Sequence, residues 1–207
     1  MKTIIFANGE MPNPAALKPA TKNAALIIAC DGGLSHAHAM GITPHIIIGD
    51  LDSAPASLLA EAKANGIAIT THPAEKDETD LELSIIYANQ NAATEIIILG
   101  ATGGRLDHTL ANLHMLAIAN CPVEILDEEH SIHLVKSSLT LPKAKYKTIS
   151  LIPLTTVVTG ITTTGLTYPL HCETLYAGKS RGVSNEFCAE QASIAVEDGM
   201  LLVIRAV

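Results

Sequence analysis

Asp50 and Asp52, two residues apart in Gly49-Asp50-Leu51-Asp52-Ser53, are the pair in this 207-residue chain best suited to chemistry. If extended geometry continues through them, side chains at i and i+2 point the same way. Two carboxylates so placed can bridge one or two hard cations such as magnesium. Further acids follow in the same region: Asp31 before Gly32-Gly33, Asp77 and Asp80 in Lys76-Asp77-Glu78-Thr79-Asp80, and Asp107 after Arg105. Between Asp31 and Asp107 stand eleven acids and three bases (Lys63, Lys76, Arg105), a net of −8, and the rest of the chain is neutral. Gathered carboxylates repel unless they face water or share a cation. A solvated acidic face is the plain alternative, so position in the fold must decide.

The segment Gly100-Ala101-Thr102-Gly103-Gly104-Arg105 is a glycine-rich strand-to-helix turn whose amides can approach an anion. It lacks the Lys-Ser/Thr of a phosphate loop and the spacing of a dinucleotide fingerprint. Arg105 suits either a phosphate fork or a pair with Asp107. Asp52 and Ser53 precede an expected helix, with capping the main expectation for Ser53. Thr79 and Glu82 read as a capping box, which leaves Asp80 in a first turn where the helix dipole stabilises a carboxylate. His108 is as well explained by capping or the surface as by catalysis. Ser180 to Phe187 is polar and glycine-containing, either a plain surface loop or part of a site. Four scattered cysteines form no CxxC pair, so reduced, buried thiols are expected instead of a zinc cluster or disulfides.

The elements that must carry these residues are legible as apolar, β-branched runs at Thr3 to Ala7, Leu26 to Cys30, His45 to Gly49, Ile67 to Thr71, Glu95 to Leu99 and Val123 to Leu126. Continuously apolar runs suit parallel strands covered on both faces. Helices are predicted between them, through Leu34 to Met40, from Ser53 or Pro55 to Asn65, from Thr79 to about Asn91, and over Leu106 to Asn120. After about Ser131 strands follow one another without helices, including Leu166 to Leu170, and Glu197-Asp198-Gly199 reads as a hairpin turn. The predicted class is α/β followed by all-β. Residues 1–128 form a doubly wound, mostly parallel sheet with helices on both faces, and residues 129–207 form a small antiparallel β-sandwich. Ligands of open parallel sheets bind beyond the carboxyl ends of the strands, and four acidic or glycine-rich loops fall there. That convergence favours a metal and phosphate site over the solvated face.

Composition excludes several classes. The acidic balance, no Trp and only 3% aromatic residues argue against a nucleic-acid surface. No apolar run reaches the roughly 18 to 20 residues of a membrane span, and the chain starts on a strand-like MKTIIFANG without signal-peptide character. A soluble cytoplasmic protein is expected.

Taken in order, ACDGG (29 to 33), GDLDS (49 to 53), KDETDLE (76 to 82), GATGGRLDH (100 to 108), GLTYPL (165 to 170) and SRGVSNEF (180 to 187) resemble the thiamine pyrophosphokinase (thiamine diphosphokinase) family over nearly the whole chain. The resemblance implies transfer of the pyrophosphoryl group of ATP to thiamine, giving thiamine diphosphate and AMP, with Mg2+ as cofactor. It implies that Asp50, Asp52 and Asp80 hold magnesium and, with Arg105 and Asp107, form the catalytic set. ATP would be lined by Asp31, Gly32, Asp77, Thr79, Thr102, Gly103, Gly104 and Arg105, with Asp107 orienting Arg105 or serving near the metal. Ser184 and Asn185 match the thiamine-approaching motif. A homodimer with active sites at the subunit interface is implied, so that residues 1–128 act as the catalytic, ATP-binding domain and 129–207 as the thiamine-binding and dimerisation domain. Without Trp, Tyr168 and Phe187 are the candidates for stacking on thiamine. Competing readings are a magnesium-dependent nucleotide hydrolase with the same acidic site, and a non-enzymatic nucleotide or thiamine sensor.

Overall fold

The computed structural model describes residues 1–207, which divide into two compact units, Met1–Glu128 and Glu129–Val207. The first contains β1 (Lys2–Phe6), α1 (Pro14–Leu17), β2 (Leu26–Cys30), α2 (Gly33–Ala39), β3 (Ile46–Gly49), α3 (Ala56–Ala64), β4 (Ala68–Thr71), α4 (Asp80–Gln90), β5 (Glu95–Leu99), α5 (Leu106–Met115) and β6 (Val123–Leu126). All six strands are parallel, in the order β6-β5-β1-β2-β3-β4. The isoleucine-rich central strands are buried on both sides: Ile4, Ile5, Ile28, Ile96 and Ile98 are fully inaccessible. Each such side chain contributes about 1.5–3 kcal/mol by leaving water.

Alternation along β2 shows the double winding. Ala29 packs with Leu34 of α2 and Ala62 of α3, whereas Cys30 turns to the opposite face, where its Sγ lies 3.0 Å from Ser84 Oγ of α4. A turn of 3-10 helix, Leu116–Ile118, continues α5 toward α4, and Asn89 Nδ2 donates to Ile118 O at 2.9 Å. The sheet order reverses at β1, with β2 to β4 on one side and β5 and β6 on the other. The loops leaving β1 and β5 therefore stand at the topological switch point, where open α/β sheets place their ligands.

The second unit comprises β7 (His130–Val135), β8 (Ser138–Pro142), β9 (Thr148–Pro153), β10 (Val157–Thr164), β11 (Glu173–Tyr176), β12 (Asn185–Glu186), β13 (Gln191–Ala195) and β14 (Leu201–Ala206). Two antiparallel sheets, β12-β9-β14-β7 and β11-β10-β13-β8, enclose one core. Ile149, Leu151, Leu201 and Val203 face Leu141, Val158, Ile161 and Ile194 across it, a sandwich built on period-two patterning.

Three local expectations are corrected, and one pair of elements is new. Leu166 to Leu170 is not a strand: Pro169 has no N–H, the Asn185 amide takes both backbone groups of Tyr168, and Thr163 Oγ1 takes the Leu170 N–H, so side chains replace a ladder. Glu197-Asp198-Gly199 does not close a hairpin, since β13 and β14 lie in different sheets and Asp198 bridges Thr159 instead. Ser53 caps nothing; α3 starts at Ala56 behind Pro55 without a side-chain cap. The short α1, with Pro14 at its start, and the 3-10 turn Lys18–Thr21 after it were not anticipated, being too brief to show periodicity.

In the sandwich, the buried Arg205 guanidinium donates to Pro142 O at 2.9 Å and Ser131 Oγ at 2.6 Å and lies 4.3 Å from the Tyr146 ring centroid. His133 sits beside it, and burial first, then the Arg205 charge, push its imidazolium down to about 3. An unfolded histidine binds its proton near pH 6.5, so between that value and about 3 the unfolded state holds more protons than the folded one, and stability falls as pH falls. Urea midpoints measured from pH 7 to pH 4.5 are expected to show this loss in the native protein, with a flatter slope in His133→Gln.

Candidate active site

Each wall of the site begins where a strand ends. Past β1 the chain stays zipped to the end of β5, with Gly9 N–H on Gly100 O at 2.6 Å and Glu10 N–H on Thr102 O at 3.1 Å. This presents Asn8, Gly9 and Glu10 to a cleft of about 630 Å³. His36 Nε2 lies 2.8 Å from Gly9 O and fastens the same loop to α2. Past β2, Asp31 takes a left-handed backbone, φ +43, rare for a residue with a side chain and frequent at functional positions. Past β3 come Asp50, Asp52 and Ser53; Lys76, Thr79 and Asp80 line the cleft from the entry to α4, and Gly103, Gly104, Arg105, His108 and Asn112 from the segment after β5.

One carboxylate oxygen from each of Asp31, Asp50 and Asp52 lies within 4.8 Å of the others. They do not converge by extended alternation. Leu51 is left-handed, φ +68, the Asp52 N–H turns back to Asp50 Oδ1 at 3.3 Å, and the Ser53 hydroxyl donates to Asp52 Oδ1 at 2.9 Å. The Ser53 N–H also donates to Asp31 Oδ2 at 3.2 Å, tying the two loops together. Asp31 Oδ1 is buried with no hydrogen-bond partner. Burial first, then the charges of Asp52 and Asp50, raise the Asp31 carboxyl above the usual range, against the opposing Ser53 hydrogen bonds. A buried acceptor without a donor, in a cluster of mutually repelling oxygens, is chemically suited to hold a hard divalent cation, and Asp80 Oδ1 nearby is a second buried oxygen without a hydrogen bond.

Asp80 borders this trio from α4 without joining it. A Cβ on Gly49 would meet Asp80 Oδ2 at 2.9 Å and Asp31 Cβ at 3.0 Å, so the missing side chain makes room for both acids. Asp80 Oδ1 is 3.0 Å from Lys76 Nζ. Thr79 Oγ1 accepts from Glu82 N–H at 3.2 Å, the expected cap of α4, and donates to Met115 Sδ at 3.3 Å. Cys30, at the floor of the cleft, is pushed up to about 12 by burial, with Asp80 and Asp31 adding to the rise. It remains a thiol, which excludes it as a nucleophile near neutral pH.

The remaining expected residues fall as follows. Gly103 and Gly104 are both left-handed (φ +80 and +62), and a Cβ on Gly103 would meet Glu10 Cβ at 2.8 Å. Arg105 reaches the cleft and is forked on Asp107, Nε to Oδ1 at 3.2 Å and Nη2 to Oδ2 at 2.6 Å. These hydrogen bonds hold the Asp107 carboxyl down at about 2. The pair is exposed and adds little stability; its effect is to orient the guanidinium, and Asp107 does not line the cleft. Gly32 backs onto the Asn8 side chain, and Thr102 donates to Asp127 Oδ2 at 2.8 Å. Asp77 is exposed and outside the lining.

Ser184 and Asn185 lie in the second unit. Ser184 is left-handed, φ +59, and its N–H donates to Ser150 Oγ at 3.0 Å. The buried Asn185 amide is spent on backbone: Oδ1 accepts from Tyr168 N–H at 3.0 Å and Glu186 N–H at 2.9 Å, and Nδ2 donates to Tyr168 O at 2.7 Å. The clamp leaves Tyr168 67% exposed, whereas Phe187 belongs to the sandwich core.

Sequence reasoning missed Asn8, Gly9, Glu10, Lys76 and Asn112. For the first three the signal was present, because Asn8-Gly9-Glu10 directly follows the first strand at the reversal of strand order. Asn112, which donates to Ala101 O at 2.8 Å, gave none. Gly49→Ala would push Asp31 and Asp80 apart; the expected outcome is Mn2+ binding weakened about 10- to 100-fold, as for lost supporting contacts at metal sites, with an unchanged far-UV spectrum. Titration of free Mn2+ by electron paramagnetic resonance measures it.

Two family models match the chain in succession: the catalytic domain of thiamin pyrophosphokinase over residues 17–125 and its vitamin B1 binding domain over residues 129–201. The thiamine pyrophosphokinase of Bacillus subtilis is 31% identical over 212 residues, spanning 100% of this chain and 99% of the relative. Its crystal structure superposes with a TM-score of 0.88 at 29% identity, covering 100% of this chain and 99% of that one. The Geobacillus thermodenitrificans thiamin pyrophosphokinase structure gives 0.86 at 30% identity, over 100% and 98% of the two chains. With both domains matched in order and a full-length relative at this identity, the chain belongs to the thiamine pyrophosphokinase family.

Proposed function

We propose that the chain transfers the pyrophosphoryl group of ATP to thiamine, yielding thiamine diphosphate and AMP, in a magnesium-dependent reaction. The observation that carries this reading is the meeting of Asp31, Asp50 and Asp52, with the unpartnered Asp31 Oδ1, in a cleft that also holds the Gly103-Gly104 turn and Arg105.

Asp31, Asp50 and Asp52 would hold the metal, with Asp80 adjacent. Magnesium, when bound, would neutralise part of the polyphosphate charge that these carboxylates otherwise repel. Arg105, aimed by Asp107, would fork on a phosphate. The amides of the Gly103-Gly104 turn would approach the phosphate backbone. Thiamine's hydroxyl oxygen bonds to the β-phosphorus as the bond from that phosphorus to the α–β bridging oxygen breaks; AMP leaves with that oxygen, and the hydroxyl proton passes to solvent. Positioning and charge stabilisation supply most of the acceleration for such a transfer. In the sandwich, the exposed Tyr168 ring, its backbone clamped by Asn185, would stack on thiamine in place of Trp, and Ser184 would stand near it. We place the enzyme in the cytoplasm as a homodimer.

Incubation with ATP, thiamine and magnesium is expected to give AMP and thiamine diphosphate in equal amounts, resolved by mass, and neither when a component is left out. AMP or phosphate without thiamine would replace this reading by the hydrolase, and binding without turnover by the sensor. Asp52→Asn should lower turnover by about 10²- to 10³-fold, the scale of losing one charge-stabilising group. Gel filtration is expected to give twice the 21.7 kDa chain mass.

A further inference from the structure

We propose that Lys76 is a tethered counter-cation of the cleft, which holds Asp80 in the free protein and turns to the nucleotide phosphates when they bind. The proposal rests on the reading of the cleft as a magnesium and ATP site.

Lys76 precedes Asp80 by four residues, yet the two are not neighbours on a helix, because α4 starts at Asp80 behind the Thr79 cap. The loop before the cap folds Lys76 back over the helix entrance. Its Nζ lies 3.0 Å from Asp80 Oδ1 and 3.3 Å from Pro73 O, and its side chain is only 13% exposed. The contact with Asp80 is an ion pair without hydrogen-bond geometry, so one ammonium donor is directed, to Pro73 O, and the others are left for a ligand. The other basic side chain at the cleft differs in kind: Arg105 is 72% exposed and committed as a planar fork to Asp107. A lysine ammonium is a compact charge on a rotatable stem and can change partners without losing donor geometry.

The charges make such a change favourable. Glu10, Asp31, Asp50, Asp52 and Asp80 line the cleft against Lys76 and Arg105. Asp80 Oδ2 faces the same gap over Gly49 as Asp31, so the ammonium on Oδ1 offsets charge at the edge of the aspartate trio. A divalent ion entering there competes with Lys76 for Asp80. A polyphosphate attracts the ammonium and is repelled by the acids. Lys76 therefore opposes metal binding in the free protein and assists nucleotide binding in the loaded one.

That difference in sign is the test. In Lys76→Met and Lys76→Gln, Mn2+ alone is expected to bind about 3- to 10-fold more tightly. α,β-Methylene-ATP with saturating Mn2+, which blocks the bond to be broken, is expected to bind about 10- to 100-fold more weakly, the worth of a charge-assisted phosphate contact. Lys76→Arg should stay close to wild type in both titrations, and thermal melts identify any variant that fails to fold. Affinities that both weaken, both strengthen or both stay put overturn the proposal while leaving the ATP reading intact. Wild-type protein that binds no Mn2+ and makes no AMP from ATP and thiamine overturns both.

Discussion

Repulsion between carboxylates at the ends of β2 and β3 is the constraint around which the first unit is built. Asp31 is buried to 5% exposure with one oxygen unpartnered, and Asp50 and Asp52 stand against it. Such an arrangement is costly in a protein interior. It persists because the backbone around it is over-determined: left-handed turns at Asp31 and Leu51, the Ser53 N–H shared across two loops, and Gly49 omitting the one side chain that would separate Asp31 from Asp80. A cation placed among these oxygens would relieve the repulsion.

That strain is carried by an apolar sheet. The strands supplying these loops are flanked by inaccessible isoleucines, and helices on both faces keep their ends in register. Cys30 shows the coupling closely: one residue before Asp31, its thiol faces Ser84 in the opposite layer, and burial keeps it protonated. The glycine turn after β5 is fixed in the same manner, by the backbone zipper to the β1 loop and by the Asn112 amide on Ala101 O. Loops that carry chemistry are precise here because they are short and their first residues are still sheet.

The sandwich solves a different problem. A proline-containing segment, Leu166 to Leu170, anchors both its leucines in the core and holds an aromatic ring in water without a ladder of its own. The buried Asn185 amide and the Thr163 hydroxyl supply its missing partners, which orders the Tyr168 backbone and leaves its ring free. Phe187, two residues beyond Asn185, goes the other way and fills the core.

Strand positions, the α/β-then-β division, the Thr79 cap and the acidic edge of the sheet were legible in the amino-acid order, because each depends on local periodicity or on residues adjacent in the chain. So was the convergence of four loops on one edge, since parallel strands send all their carboxyl ends the same way. Partners distant in sequence were not legible. That Asp31 lies beside Asp50 and Asp52, that Lys76 pairs with Asp80, that Asn185 serves Tyr168, and that Glu197 to Gly199 crosses between sheets depend on backbone turns at single residues and on which strands become neighbours. The order of residues placed an acidic, anion-approaching edge on the sheet; only tertiary packing chose the atoms, because the missing side chain at Gly49 and one left-handed residue at Leu51 set which oxygens can meet.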